Sequence, residues 1–118
     1  MARSVIIVIV LLVSISVSSF ASFYYTKSTA EEFSARLDKA GCDAATLKEI
    51  AEEWDEKKQP LMLMINHRDI ESISVSLIRA FKAAEDGRLD MAREECAVAE
   101  FMLKELVERE RISAENIF

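Results

Sequence analysis

Apolar and charged residues are distributed unevenly along the chain. Residues 5–25 contain no charged side chain, and a transmembrane helix needs about 20 apolar residues. From residue 28 on, apolar residues recur at steps of three and four among charged ones, which is the spacing of amphipathic helices. The pattern therefore predicts an all-α protein with a transmembrane anchor in residues 1–27 and a helical domain in residues 28–118.

Start and stop signals predict where the first helix of this domain lies. A capping box, formed by Ser28 with Glu31 or by Thr29 with Glu32, predicts that a new helix begins after the anchor. Gly41 ends this helix, because glycine readily adopts the backbone conformation found just past a helix C-terminus.

The second helix is predicted to begin after Asp43, whose carboxylate suits a cap position. Pro60 disturbs its later part, because proline removes a backbone hydrogen bond and clashes with the preceding turn. We call residues 57–69 the joint and expect either a kink or a break there. A third helix then runs to about Asp86, and Gly87 separates it from a fourth helix over residues 88–111.

Each predicted helix of the domain carries one apolar stripe. The stripes are Ala30, Phe33, Leu37 and Ala40; Leu47, Ile50, Trp54 and Leu61; Leu63, Ile70, Ile73, Leu77, Ala80 and Ala84; and Leu89, Ala92, Cys96, Ala99, Leu103 and Leu106. The first and second helices are joined by a short connection, and so are the third and fourth, so each pair is expected to be antiparallel. The predicted domain is a small bundle of two helical hairpins.

The N-terminal segment has two interpretations, and both export the helical domain. As an anchor it has Arg3 before it and acidic residues after it, so the positive-inside rule places the N-terminus in the cytoplasm. As a signal peptide it would be cleaved near Ala21, which ends a pattern of small residues suited to cleavage. Aromatic residues within positions 20–25 favour the uncleaved anchor, because such side chains suit the membrane interface.

Net charge limits the choice of partner. The chain has 15 Lys and Arg against 21 Asp and Glu, a net charge of −6, and Arg3 is the only charged residue before Lys27. The helical domain therefore carries the whole acidic excess. Because such a surface repels nucleic acid, we expect no nucleic-acid partner.

The sequence leaves open whether its two cysteines form a disulfide. Outside the cytoplasm, Cys42 and Cys96 could form a disulfide. A full fold-back at the joint would bring them to the same level, whereas one straight rod would hold them roughly 50 Å apart. The alternative is that Cys96 is a small core residue and Cys42 an incidental turn residue.

Chemistry-bearing residues are few. His67 is the single histidine, with Asp69 close by and Glu71 four positions on, on the same helix face. A zinc site generally needs three or four ligands dominated by His or Cys, and the chain does not supply them at a diagnostic spacing. Neighbouring acids such as Glu52 and Glu53 point apart on a helix, unlike an acid–base pair. We expect no enzyme activity and no metal or cofactor.

Two surfaces are candidates for binding a protein. The candidate residues are Asn66, His67, Asp69, Glu71 and Arg79 at or after the joint, and Glu115, Asn116, Ile117 and Phe118 in the C-terminal tail. The first three also suit the capping of unpaired helix backbone at the joint. The tail is too short for a stable helix by itself, so it either docks on the bundle or binds a partner.

Three sequence features carry a resemblance: Trp54 in a charged helix, the segment INHRDIESISVSLIR, and the ending ISAENIF. With them the chain resembles a family of short membrane-anchored bacterial proteins, mainly from spore-forming Gram-positive bacteria, whose shared domain has no assigned function. The matching positions are Ile65, His67, Ile70, Ile73, Ser76, Leu77, Arg79, Ser113, Glu115, Asn116 and Ile117. Asn66 departs from the family pattern, where an acid is usual, and Pro60 is unusual. The resemblance implies no activity and favours a membrane protein as partner.

The sequence as a whole favours a non-catalytic, membrane-anchored interaction or scaffold protein of the bacterial cell envelope. The expected partners are the membrane, through the N-terminal helix, and another membrane or envelope protein. The alternative is an extracytoplasmic ligand, metal or pH sensor centred on His67, because histidine is the residue type that commonly serves in such switches.

Overall fold

Four helices make up the part of the chain that the computed structural model describes, residues 2–41 and 43–117. They are α1 (Ala2–Ala40), α2 (Ala44–Met64), α3 (His67–Glu85) and α4 (Leu89–Ile117). Each helix packs against two others, so that α1, α2, α3 and α4 form a ring in chain order. The molecule measures 69 × 22 × 22 Å, because α1 extends well beyond the bundle. The prediction of an all-α protein with an apolar N-terminal helix is confirmed.

Helix α1 joins the apolar N-terminal segment to the bundle without interruption. The prediction that a new helix begins at Ser28 or Thr29 is therefore wrong. Thr26, Thr29 and Phe33 lie on the buried face of α1, so continuing the helix keeps this face buried within the bundle. A capping side chain stabilises a helix only at its end, and here packing keeps Ser28 and Thr29 inside the helix.

The connection between α1 and α2 follows the predicted signals. Gly41 has φ of 59°, a conformation that costs little only for glycine. Asp43 caps α2, since its carboxylate accepts hydrogen bonds from the Thr46 backbone N–H at 3.2 Å and the Thr46 hydroxyl at 2.7 Å. The Thr46 hydroxyl, followed by the Thr46 N–H, lowers the pKa of Asp43 below its usual value. The predicted cap is confirmed.

The joint contains a break, but the break does not lie at proline. Helix α2 continues through Pro60 and ends at Met64, and Ile65 is extended with φ of −130° and ψ of 159°. The side-chain oxygen of Asn66 then accepts a hydrogen bond from the Arg68 N–H at 2.9 Å and so caps α3. The capping role predicted for Asn66 is confirmed.

Leu63 lies on the outside of the molecule, so its assignment to the third apolar stripe is wrong. It is 89% exposed, whereas Leu61 is 1% exposed. Because α2 continues through Pro60, the two side chains are two helical positions apart and point about 200° away from each other. Leu61 enters the core and Leu63 points outward.

The core consists of the predicted stripes with few changes. The predicted residues found buried are Ala30, Phe33, Leu37, Ala40, Leu47, Ile50, Trp54, Leu61, Ile70, Ile73, Leu77, Ala80, Ala92, Cys96, Ala99, Leu103 and Leu106. Trp54 meets Phe33 edge-on with ring centroids 5.2 Å apart, which confirms its predicted place in the core. Leu89 is 48% exposed because it begins α4 at the end of the bundle, and Ala83 is more deeply buried than Ala84.

Candidate interaction surfaces

Asn66 and His67 lie at the exposed start of α3. The side-chain oxygen of Asn66 is engaged with the backbone of α3. His67 is the first residue of α3, and its side chain is exposed. Within residues 2–41 and 43–117, no group of three or more His, Cys, Asp or Glu side chains is placed to hold a metal ion.

Asp69 and Glu71 tie α3 to its two neighbours. Asp69 pairs with Arg109 of α4 at 2.7 Å. Glu71 pairs with the Lys58 ammonium of α2 at 3.2 Å, and that ammonium also reaches Asp55 at 2.9 Å. The pKa of Lys58 is raised, first by the hydrogen bond with Asp55. The candidate acids at the joint therefore act in part as links between helices.

Asp69, Glu71 and Arg79 also line a groove between α3 and α4. The groove consists of two adjacent hollows of about 150 and 360 Å³ that share Ser72 and Met102. We call this surface the α3–α4 groove. Its lining includes the apolar residues Val75, Val98, Phe101 and Met102 and the charged residues Arg68, Asp69, Glu71, Arg79, Glu105 and Arg109. The structure thus brings three of the residues predicted from the sequence to one surface.

The α4 side of this groove was missed by sequence reasoning. Phe101 is 63% exposed, and Val98 and Val75 are also exposed. Val98 and Phe101 are three positions apart and flank the buried Ala99, so they form a second apolar strip beside the core stripe. This spacing was the available signal, but only the packing of α4 against α3 shows that the strip faces solvent.

The C-terminal tail is a continuation of α4. The helix was predicted to end near Arg111 and instead runs to Ile117. Arg111 bonds Glu108 at 2.7 Å and Glu115 at 3.1 Å, which supports this last part of the helix. The side chains of Asn116 and Ile117, and Phe118 as a whole, lie outside the described part, so the predicted docking of the tail stays a prediction.

Two glutamates of α4, Glu100 and Glu110, are partly buried. Burial raises the pKa of Glu100 above its usual value, and a hydrogen bond with Asp38 raises it further, while Lys104 opposes the shift. Burial also raises the pKa of Glu110, which a hydrogen bond with Ser22 partly offsets. The contact between α1 and α4 therefore extends down to Ser22, within the apolar segment.

The cysteines occupy different parts of the bundle. Cys96 is buried in α4, in the core stripe where it was predicted. Cys42 lies outside the described residues, between α1 and α2. A disulfide between them stays a prediction.

Helix α1 has the character of a membrane span. Among the described helices it alone is long and apolar enough to cross a bilayer, with a mean hydropathy of 2.6 over its most apolar window. Its apolar side chains from Val5 to Val17 are more than half exposed, since no other helix covers them. A signal sequence near an N-terminus would share this character.

Comparison with known proteins places the bundle in a family. A family model described as "Domain of unknown function (DUF4363)" matches residues 20–117. No curated protein and no solved structure matches the chain. The matched region contains the whole bundle and the end of the apolar segment. The chain therefore belongs to the family defined by this domain of unknown function, DUF4363.

Proposed function

We propose that this chain is a single-pass membrane protein of the bacterial cell envelope whose helical bundle binds another membrane or envelope protein without catalysing a reaction. The anchor rests on α1, whose early apolar residues are uncovered while its later residues form the bundle core. A contiguous apolar surface of this size is unfavourable in water, and a bilayer would cover it.

The continuity of α1 favours an anchor that is retained. Cleavage near Ala21 would cut inside an unbroken helix, just before Ser22 contacts Glu110. The mass of the protein extracted from membranes tests this point. We expect the full-length mass, whereas a product lacking residues 1–21 would support the secreted alternative. The bundle is proposed to lie outside the cytoplasm, since Arg3 precedes the span and acidic residues follow it.

The α3–α4 groove is the surface proposed to bind the partner. The observation that carries this proposal is the 63% exposure of Phe101 beside Val75 and Val98 on a strongly acidic protein. Large aromatic side chains supply much of the binding energy in protein interfaces. A groove between two helices that is lined by apolar residues and by charged residues of both signs suits an amphipathic helix of the partner.

A photo-crosslinker placed at Phe101 in intact native membranes tests the groove. We expect benzoylphenylalanine at position 101 to capture a reproducible membrane or envelope protein, identified by mass spectrometry. The matched control carries the same side chain at Glu52, an exposed position on α2 outside the groove. Equal yields from both positions, or no adduct from position 101 in folded, membrane-inserted protein, would contradict the proposed surface.

A charge introduced at the groove provides a second test. Because Phe101 is exposed, Phe101→Asp should preserve the fold while abolishing capture by a photo-crosslinker at Val98. Leu89→Asp places the same charge on an exposed apolar residue at the end of the bundle and should leave capture unchanged.

A further inference from the structure

The turn between α2 and α3 and the last part of α4 expose a group of apolar side chains. Leu63 is 89% exposed and Ile112 is 51% exposed. Met62 and Ile65 are partly buried against the core and partly open to solvent. We call these four residues the tip.

Contacts between helices show which residues of α1 lie at the same height as the tip. Ala30 and Glu31 of α1 line one hollow together with Val107 and Glu108 of the antiparallel α4. The residue after Glu108, Arg109, pairs with Asp69 in the first turn of α3. The beginning of α3 is therefore roughly level with Thr29, and the turn before it lies closer to the N-terminus of α1.

The ion pair of Lys58 and Glu71 gives the height of Leu63 relative to α3. The two residues are level because they form an ion pair between α2 and α3. Leu63 is five residues beyond Lys58 in α2, which corresponds to roughly 7 Å along the helix axis. Asp69 is about 3 Å beyond Glu71 in the same direction. Leu63 thus lies roughly 5 Å beyond the level of Thr29, near that of Thr26.

This height coincides with the end of the uncharged segment of α1. The segment ends at residue 25, so the tip lies beside the point where it ends. Ile112 is three residues beyond Arg109 in α4 and reaches a similar level. Two separate parts of the chain therefore expose apolar side chains at the height where α1 would leave a bilayer.

Several charged groups near the tip are paired, which lowers the cost of bringing them to a lipid surface. Arg109 pairs with Asp69, and Arg111 bonds both Glu108 and Glu115. Ion pairs lose less free energy than isolated charges when they leave water.

We propose that the tip inserts into the interfacial region of the same bilayer that holds α1, so that the bundle rests on the membrane instead of standing clear of it. This inference depends on the proposed membrane anchor. We assign lipid as the binding partner of the tip, because the unbroken helix α1 fixes the distance between the membrane span and the tip. Apolar faces of membrane-surface helices are buried about 5–10 Å into this region.

Quenching of tryptophan by brominated acyl chains tests the proposal in the full-length protein. Leu63→Trp and Ile112→Trp report on the tip, and Leu89→Trp is the matched control at the opposite end of α3, about 30 Å away. The native Trp54 is buried in the core and contributes the same background to every variant. Each variant is reconstituted in vesicles of dibromo-phosphatidylcholine, and vesicle flotation and helicity are recorded with the emission.

We expect roughly a twofold loss of the added emission for Leu63→Trp and Ile112→Trp, and little loss for Leu89→Trp. Equal quenching at all three positions, in variants that float with the vesicles and retain helicity, would overturn the inference while leaving the anchor intact. Blue-shifted but unquenched emission from the tip would assign it to a second copy of the chain and overturn the lipid assignment. Failure of the wild-type protein to float would overturn the anchor, and the inference with it.

Discussion

The indole N–H of Trp54 donates a hydrogen bond of 2.9 Å to the hydroxyl oxygen of Ser74, and both residues are buried. Ser74 in turn donates to the backbone carbonyl of Ile70 at 3.2 Å. The polar atoms of both side chains are therefore satisfied inside the core, which joins α2 to α3 at a defined height. The same indole ring packs edge-on against Phe33 of α1, so Trp54 connects three helices.

The first prediction concerns this buried hydrogen bond. Ser74→Ala should lower the free energy of unfolding by about 1–3 kcal/mol, because it leaves the buried Trp54 N–H without an acceptor. Ser72→Ala is the matched control, since Ser72 is an exposed serine of the same helix that also bonds a backbone carbonyl, that of Arg68 at 2.8 Å. Denaturant unfolding of the full-length protein in detergent micelles measures both. Equal losses from the two substitutions would contradict the role assigned to Ser74.

The second prediction concerns Thr26, whose buried hydroxyl oxygen has no hydrogen-bond partner within the part of the chain that the structure describes. Thr26→Val replaces this hydroxyl with a methyl group of similar size and should raise the free energy of unfolding by about 1 kcal/mol. Thr46→Val should lower it, because the Thr46 hydroxyl is bonded to Asp43 at 2.7 Å. A loss of stability from Thr26→Val would show that the hydroxyl has a partner in solution.

The third prediction concerns pH. The pKa of Glu100 is raised in the folded protein, first by burial and then by Asp38, so the folded state holds this proton more tightly than the unfolded chain. Stability should therefore fall as pH rises above the unfolded value and through the folded one. Glu100→Gln removes this penalty, so it should raise the melting temperature near pH 7.5 and have little effect near pH 4. The gain should stay below about 1 kcal/mol, because the site is partly solvated.

Thermal unfolding across this pH range measures the effect of Glu100. Glu94→Gln is the matched control, since Glu94 is an exposed glutamate on the same helix. A gain from Glu100→Gln that is as large near pH 4 as near pH 7.5 would contradict the assignment of the penalty to the ionised form.

The fourth prediction distinguishes the roles of Asn66 and His67, the two exposed residues at the start of α3. Asn66→Ala should lower the free energy of unfolding by about 1 kcal/mol, because it removes the cap of α3. His67→Ala should change it by less than about 0.5 kcal/mol, as expected for an exposed side chain away from such features. Melting curves at several pH values, with and without a chelator, measure both variants. A dependence on pH or chelator that disappears in His67→Ala would instead support the sensor alternative.

Much of the fold follows from local sequence pattern. Most residues of the buried stripes and the Asp43 cap were predicted from spacing and capping chemistry, and the structure confirms them; for the joint the sequence left a kink and a break open, and the structure shows a break. Local patterns suffice here because the face that a helix buries depends on its own periodicity, whatever it packs against. The uncharged N-terminal segment is likewise a property of composition alone.

Tertiary packing decided where the helices begin and end, and which surfaces meet. The capping box at Ser28 remained inside α1 because the adjoining face of this helix is buried in the bundle, and α2 passed through Pro60 so that Leu63 points outward. The α3–α4 groove, in which Phe101 shares one hollow with Asp69 and Val98 shares the next with Arg79, exists only because two helices lie side by side. Sequence spacing determines which residues share one helix face, whereas only the packed bundle determines which faces of different helices come together and at what height.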